Sequence, residues 1–205
     1  MVVCVKPVGA DSEQGVPAIL REMLGGEIYP LHRLDKNVGG VMVYARTKEM
    51  AAELSEVIRE GGMVKEYLAA VHGVPAQSGE LVDYLFKDSS KNKVFVVKRM
   101  RSGVKKARLF YRVLASENDR TLVQVRLYTG RSHQIRVQFS SRGFPLIGDR
   151  KYGSRAPEQE PMLYSCRVSF PLDGKTRIFT HLPDWAEDVM LLLPEQMEAH
   201  GGMEE

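Results

Sequence analysis

From Met63 to Tyr128 the chain carries four segments of strand character and no amphipathic helix: Met63–His72, Val94–Val97, Arg108–Leu114 and Thr121–Tyr128. In the first, Met63, Lys65, Tyr67, Ala69 and Val71 fall on one face. In the last, Val123, Val125 and Leu127 oppose Leu122, Gln124, Arg126 and Tyr128, the two-residue period of a strand with unlike faces. Strands that adjoin one another along the chain favour antiparallel pairing over βαβ crossovers.

Strands are also expected at Val2–Val5, Gly40–Ala45, Met162–Phe170 and Thr176–Phe179, the last two closing around the turn signal Asp173-Gly174. Helical spacing appears in Val16–Leu24, stopped by Gly25-Gly26. It recurs in Lys48–Arg59, with Thr47 as N-cap, Met50, Leu54, Val57 and Ile58 inward, and Gly61-Gly62 at its end. A short helix is expected over Ser132–Ser141 with Ser132 as its cap, and a last helical turn or two in Pro183–Leu193. Strands outnumber helices and adjoin one another. The fold class is therefore α+β, a mixed, mostly antiparallel central sheet flanked by helices. No linker divides the chain, so residues 1–192 are expected to form one domain and 193–205 a polar tail that frays.

The 205 residues, 43% hydrophobic and 27% charged, suffice for one sizeable core. A formal charge of +3 does not by itself indicate nucleic acid. The five histidines show no metal-ligand spacing, so no metal is expected. The two cysteines form no CxxC pair, which favours a reducing cytoplasm over a disulfide framework. No apolar run approaches the ~18 residues of a membrane span, and Met1–Val5 is too short for the apolar part of a signal peptide.

Polar residues gather in three places. Leu31-His32-Arg33-Leu34-Asp35-Lys36-Asn37-Val38-Gly39-Gly40 sets a carboxylate in a glycine-closed loop between apolar runs. It differs from the kinase His-Arg-Asp-Leu order, and the chain has no Gly-rich phosphate loop, Val-Ala-Ile-Lys strand or Asp-Phe-Gly. Thr129-Gly130-Arg131-Ser132-His133-Gln134-Ile135-Arg136 places Arg136 beside Ile135 on a helix. An arginine turned partly inward needs a carboxylate, and Asp35 is the natural partner. In Lys65-Glu66-Tyr67-Leu68-Ala69-Ala70-Val71-His72-Gly73, Tyr67 offers a stacking face and a hydroxyl. Taken singly, Asp35 reads as a structural loop carboxylate, Tyr67 as a core tyrosine and Arg136 as a salt-bridge residue. His133 and Gln134 read as partners of local backbone groups, and Asp149 and Tyr152 as loop stabilisers.

In this order the three segments resemble the RluA-type pseudouridine synthases, whose motifs are His-Arg-Leu-Asp-x-x-Thr-Ser-Gly, Lys-x-Tyr-x-Ala-x-Val-x-Gly and Thr-Gly-Arg-x-His-Gln-Ile-Arg. Gly143-Phe144-Pro145-Leu146-Ile147-Gly148-Asp149-Arg150-Lys151-Tyr152-Gly153 is similar to a further family motif, and Val3-Cys4-Val5-Lys6-Pro7-Val8-Gly9 to the family's start. The resemblance runs from about Val2 to Phe179. It implies a pseudouridine-synthase-like catalytic domain with its cleft across the sheet, standing alone without an S4-like domain. It also implies a cofactor-free, monomeric enzyme that isomerises a uridine in structured ribosomal or transfer RNA after flipping the base.

Asp35 matches the catalytic aspartate, which attacks the sugar or the ring or abstracts a sugar proton. Tyr67 matches the stacking tyrosine, and Arg136 the arginine paired with the aspartate. Among substrate contacts, Arg33 matches the residue that fills the gap left by the base, Leu163 an apolar pocket wall, and His32 and Arg131 belong to the matching motifs. The basic stretch Lys98–Arg108, with Lys105 and Lys106, is expected to be a hairpin tip or arm touching phosphates. The alternative is a non-catalytic RNA-binding or RNA-folding protein on the same scaffold. The chain departs from the family at Val38-Gly39, where a Thr-Ser pair supports the loop, at Val5 in place of Asn, and at Leu109 in place of Thr.

Overall fold

A computed structural model describes residues 1–186. In chain order the elements are β1 (Val2–Lys6), α1 (Gly15–Leu24), β2 (Tyr29–Pro30), β3 (Gly39–Ala45), α2 (Lys48–Arg59), β4 (Val64–His72) and β5 (Ser78–Asp88). There follow β6 (Lys93–Val97), β7 (Val104–Glu117), β8 (Arg120–Leu127), α3 (Gln134–Ser140), a 3₁₀ turn at Arg150–Tyr152, β9 (Leu163–Leu172) and β10 (Lys175–Thr180). The strands form one sheet in the order β1-β3-β9-β4-β8-β7-β5-β6, with β10 beside β9 and β2 beside β3. Every pairing is antiparallel except β3 with β9, so the α+β, mostly antiparallel expectation holds.

The first two helices form where spacing predicts them. Thr47 accepts a hydrogen bond from the Met50 N–H, satisfying one orphan donor of α2. Leu54 is fully buried, in a cluster with Val41, Val43, Met63, Val168 and Phe170. Met42 and Tyr44, alternating with Val41 and Val43, point the other way into the main cluster with Val16 and Leu20 of α1 and with Tyr67, Val123, Val125, Ile135 and Phe139. All seven residues of β3 are buried. A strand covered on both faces reads as a continuous apolar run.

Three expectations change. The third helix begins at Gln134, with no side-chain cap and His133 left-handed at φ 51°. Ser132 is therefore outside it, and the Gln134 side chain serves that turn instead, accepting from Arg131 N at 3.0 Å and Thr129 Oγ1 at 2.8 Å. β5 joins the predicted strands. And the basic stretch is not a hairpin tip. β6 and β7 flank β5 on opposite sides, so residues 98–103 cross over β5, with Arg101 lying 5.3 Å from the Phe86 ring centre. Of the expected Pro183–Leu193 turns, only 183–186 are described, and 184–186 form a single turn. Residues 187–205, including the expected frayed tail, lie outside the described residues.

The parallel seam is short. Gly39 faces Tyr164 and Gly40 faces Ser165. Gly40 has φ 125°, and a Cβ there would lie 2.3 Å from the Ser165 carbonyl oxygen. Only glycine lets the backbones approach this closely. Gly40→Ala is expected to cost about 3 kcal/mol or more, from strained backbone plus overpacking, read as a lowered urea midpoint with unchanged slope.

Candidate active site

The seam brings three segments together. Asp35 sits in the loop before β3, Tyr67 on β4 and Arg136 on α3, and all line one cavity of about 270 Å³ with Val38, Leu127, Ile135 and Leu163 among its apolar walls. Arg136 Nη1 donates to Asp35 Oδ2 at 3.2 Å across 101 residues of sequence, as the inward-arginine argument expects. Asp35 is only half of the pairing. Asp149, 1% exposed, receives Arg136 Nε at 2.6 Å and Nη2 at 2.8 Å. This bidentate fork fixes the guanidinium plane and leaves Nη1 for Asp35. Burial works against the Arg136 charge, and the two carboxylates more than offset it, so its pKa lies above the ordinary value. Asp149 thus does more than stabilise a loop.

Tyr67 is 5% exposed. Burial, reinforced by the Asp35 charge, pushes its pKa above the ordinary tyrosine value, so it enters chemistry as a neutral O–H. His133, given a local backbone role by its sequence context, instead faces the site. Its Nε2 lies 4.0 Å from Asp35 Oδ2, and its Nδ1 is 2.8 Å from Tyr152 Oη. Tyr152 Oη also accepts from Val94 N–H at 2.9 Å, which ties the imidazole to the start of β6. Burial lowers the His133 pKa against the pull of Asp35, and Arg136 and Lys151 lower it further.

Val38 replaces hydroxyl support with apolar support. It is 2% exposed in the main core, and its N–H closes a turn onto the Asp35 carbonyl at 2.9 Å. A second brace comes from Lys6, which is fully buried. Its ammonium donates to the carbonyls of Pro7 at 3.0 Å, Ala10 at 2.9 Å and Lys36 at 3.2 Å. Burial pushes its pKa down to about 8 despite Asp11 and Asp35. The unfolded chain therefore binds more protons between pH 8 and 10.5. The stability contributed by Lys6 is flat below that window and rises through it. Lys6→Met is expected to destabilise at pH 7, and its deficit should widen as urea unfolding is repeated toward pH 10.

The remaining predicted contacts separate. Leu163, His32, Arg33 and Arg131 all line the cavity. His32 Nε2 accepts from Val43 N–H at 3.2 Å, and burial plus the Lys65 charge push its pKa down to about 3. Arg33 is exposed and paired with Glu13 at 2.7 Å, a surface bond worth about 0–1 kcal/mol and readily surrendered. Lys105 and Lys106 are exposed on β7 outside the cavity, joined to its rim where Arg131 Nε donates to the Lys106 carbonyl at 3.1 Å. Lys65 lines the cavity as well, outside the contacts expected from sequence. Its place on the inward face of β4 beside Tyr67 was the available signal.

Residues 1–141 match the RNA pseudouridylate synthase family. The ribosomal large subunit pseudouridine synthase D of Zymomonas mobilis is 33% identical over 145 residues, covering 69% of this chain and 45% of that protein. The tRNA pseudouridine synthase C of Haemophilus ducreyi is 34% identical over 148 residues, covering 65% and 59%. The chain thus spans about half the length of these curated relatives. Human RNA pseudouridylate synthase domain containing 4 superposes with a TM-score of 0.75 at 26% identity, over 90% of this chain and 86% of that one. Human RNA pseudouridylate synthase domain containing 1 shares the fold, with a TM-score of 0.81 at 20% identity over 96% and 89%. With its motifs gathered on one cavity and a family match across most of its length, this chain belongs to the RNA pseudouridylate synthases.

Proposed function

We propose that the chain isomerises a uridine in structured ribosomal or transfer RNA to pseudouridine, with Asp35 as the catalytic carboxylate. The observation that carries this reading is the Asp35–Arg136–Asp149 arrangement facing an apolar cavity over Tyr67. A binding protein has no use for a carboxylate held by so costly a buried cation. The reaction cleaves the N1–C1′ bond, forms a C5–C1′ bond, moves a proton from C5 to solvent and returns one to N1. Atoms and electrons are conserved, so no cofactor is required.

A stacked base is out of reach and must be flipped into the cavity. Leu163, Ile135 and Val38 then exclude water, Tyr67 stacks on the ring, and Arg136 holds the Asp35 oxygen against the sugar. Arg33 leaves Glu13 to fill the vacated stack. Lys105 and Lys106 contact phosphates beyond the cavity. The free cysteines Cys4 and Cys166 suit a reducing cytoplasm. Among the described residues, no helix is long and apolar enough to cross a membrane and no group of acidic, histidine or cysteine side chains is arranged to hold a metal.

Mapping pseudouridines in total RNA from cells with and without the gene tests the proposal. One or a few sites should disappear with the gene and return with the wild-type chain. An unchanged map would remove the activity.

A further inference from the structure

Among the described residues Lys65 is a cation without an anion. It is half-buried on β4, and its side chain lines the reaction cavity. Burial alone lowers its pKa, with no carboxylate pulling the other way. The adjacent Glu66 points to the opposite face of the sheet, where Arg167 takes it at 3.3 Å. Among the described residues no acceptor or carboxylate lies within bonding reach of Lys65 Nζ. Its ionisable neighbour His32 is held neutral and gives no compensation. A charge taken from water and left unpaired costs free energy, so a site that keeps one is built for an incoming counter-charge.

The same wall carries two more open donors. Arg131 spends Nε on the Lys106 carbonyl, and among the described residues its terminal nitrogens have no partner. His32, whose Nε2 accepts from Val43, bears its proton on Nδ1, a buried atom with no partner. Between the two cations stands Gly130, where a Cβ would sit 3.7 Å from Lys65 Nζ. The missing side chain keeps the ammonium open on that side.

We propose that Lys65 and Arg131, with His32 behind them, form a phosphate subsite on the wall of the reaction cavity, taking a backbone phosphodiester next to the target nucleotide. The proposal rests on the RNA reading above. Spacing supports it. Lys65 lies two residues from Tyr67 along one strand face, about 6.5 Å, comparable to the separation of base and phosphate within one nucleotide. A uracil carbonyl would satisfy a single hydrogen bond but leave two cations unneutralised, whereas a phosphodiester offers charge to both.

Two measurements on the full chain test this. First, inorganic phosphate is titrated while the His32 imidazole nitrogen signals are followed. A saturable shift is expected in the wild type and in Lys65→Arg, and none in Lys65→Met. Second, binding and turnover are measured on an RNA that the wild type modifies. Lys65→Met should weaken binding about tenfold, with the loss falling on KM, and lower the salt slope by roughly 0.7. Replacing one phosphate beside the target uridine by a methylphosphonate should cost the wild type the same factor and cost Lys65→Met nothing. Equal affinity and slope in the variant, or no methylphosphonate that distinguishes the two proteins, overturns the subsite. A fall confined to kcat overturns it too, assigning Lys65 to the base. Phosphate binding through Lys65 in a chain that makes no pseudouridine leaves the subsite standing and removes the activity.

Discussion

Asp35→Asn is expected to abolish pseudouridine formation, by about 10⁴-fold or more, while RNA affinity stays within about twofold. The substitution keeps shape and leaves a carbonyl oxygen for Arg136 Nη1 to bond, so the loop stays closed by the Val38 N–H and braced by Lys6. Asp149 continues to hold the other two guanidinium nitrogens. What disappears is the negative oxygen that attacks or accepts a proton, and an amide does neither at neutral pH. Quantifying pseudouridine by primer extension after carbodiimide treatment, alongside filter binding of the same RNA, separates chemistry from affinity. Activity near the wild-type level would show that the carboxylate is not the reacting group, whatever its geometry.

Arg136→Leu should be the most damaging single change to stability near the site, at about 3–5 kcal/mol. Leucine leaves the Asp149 carboxylate, 1% exposed, with no cation in a cavity wall built around one. Activity falls with it, because Asp35 loses its hydrogen-bond donor. The double variant Arg136→Leu/Asp149→Leu should recover part of the stability and none of the activity, since the stranded charge rather than the missing bond is the main cost. Urea denaturation of the four members of this cycle gives the coupling directly. Strict additivity would mean that the two residues do not act as a pair.

The parts of this molecule readable from sequence are those governed by neighbours along the chain. The stripe and Thr47 cap of α2, the glycines after α1 and the turn between β9 and β10 are local devices, and they appear where expected. β5 escaped because its inward positions include Asp83 between Leu81 and Leu85, spoiling the apolar alternation. That carboxylate is satisfied from α3, by Gln138 at 2.7 Å, and from just beyond it, by Arg142 at 2.8 Å. Nothing near residue 83 announces those partners. The site divides the same way. Asp35, Tyr67 and Arg136 were visible through their motifs, and Leu163 through its place in the family pattern. The second partner of Arg136, the Val94–Tyr152–His133 chain and the buried Lys6 depend on segments that meet only in three dimensions. The expected Ser132 cap failed for a related reason, because the Gln134 side chain already serves the turn that a serine hydroxyl would have stabilised.

The two-residue seam between β3 and β9 also sets when the molecule can begin to work. Ser165 Oγ bonds the Val41 carbonyl across 124 positions of sequence, and the floor under Tyr67 is missing until that register forms. Synthesis therefore adds the Asp35 loop, then Tyr67, then Arg136, before the strand that locks them together. Such distant pairings close slowly. Over the stretch between Arg136 and β9 the nascent chain holds all three reactive groups without the strand that sets Tyr67 in its cavity.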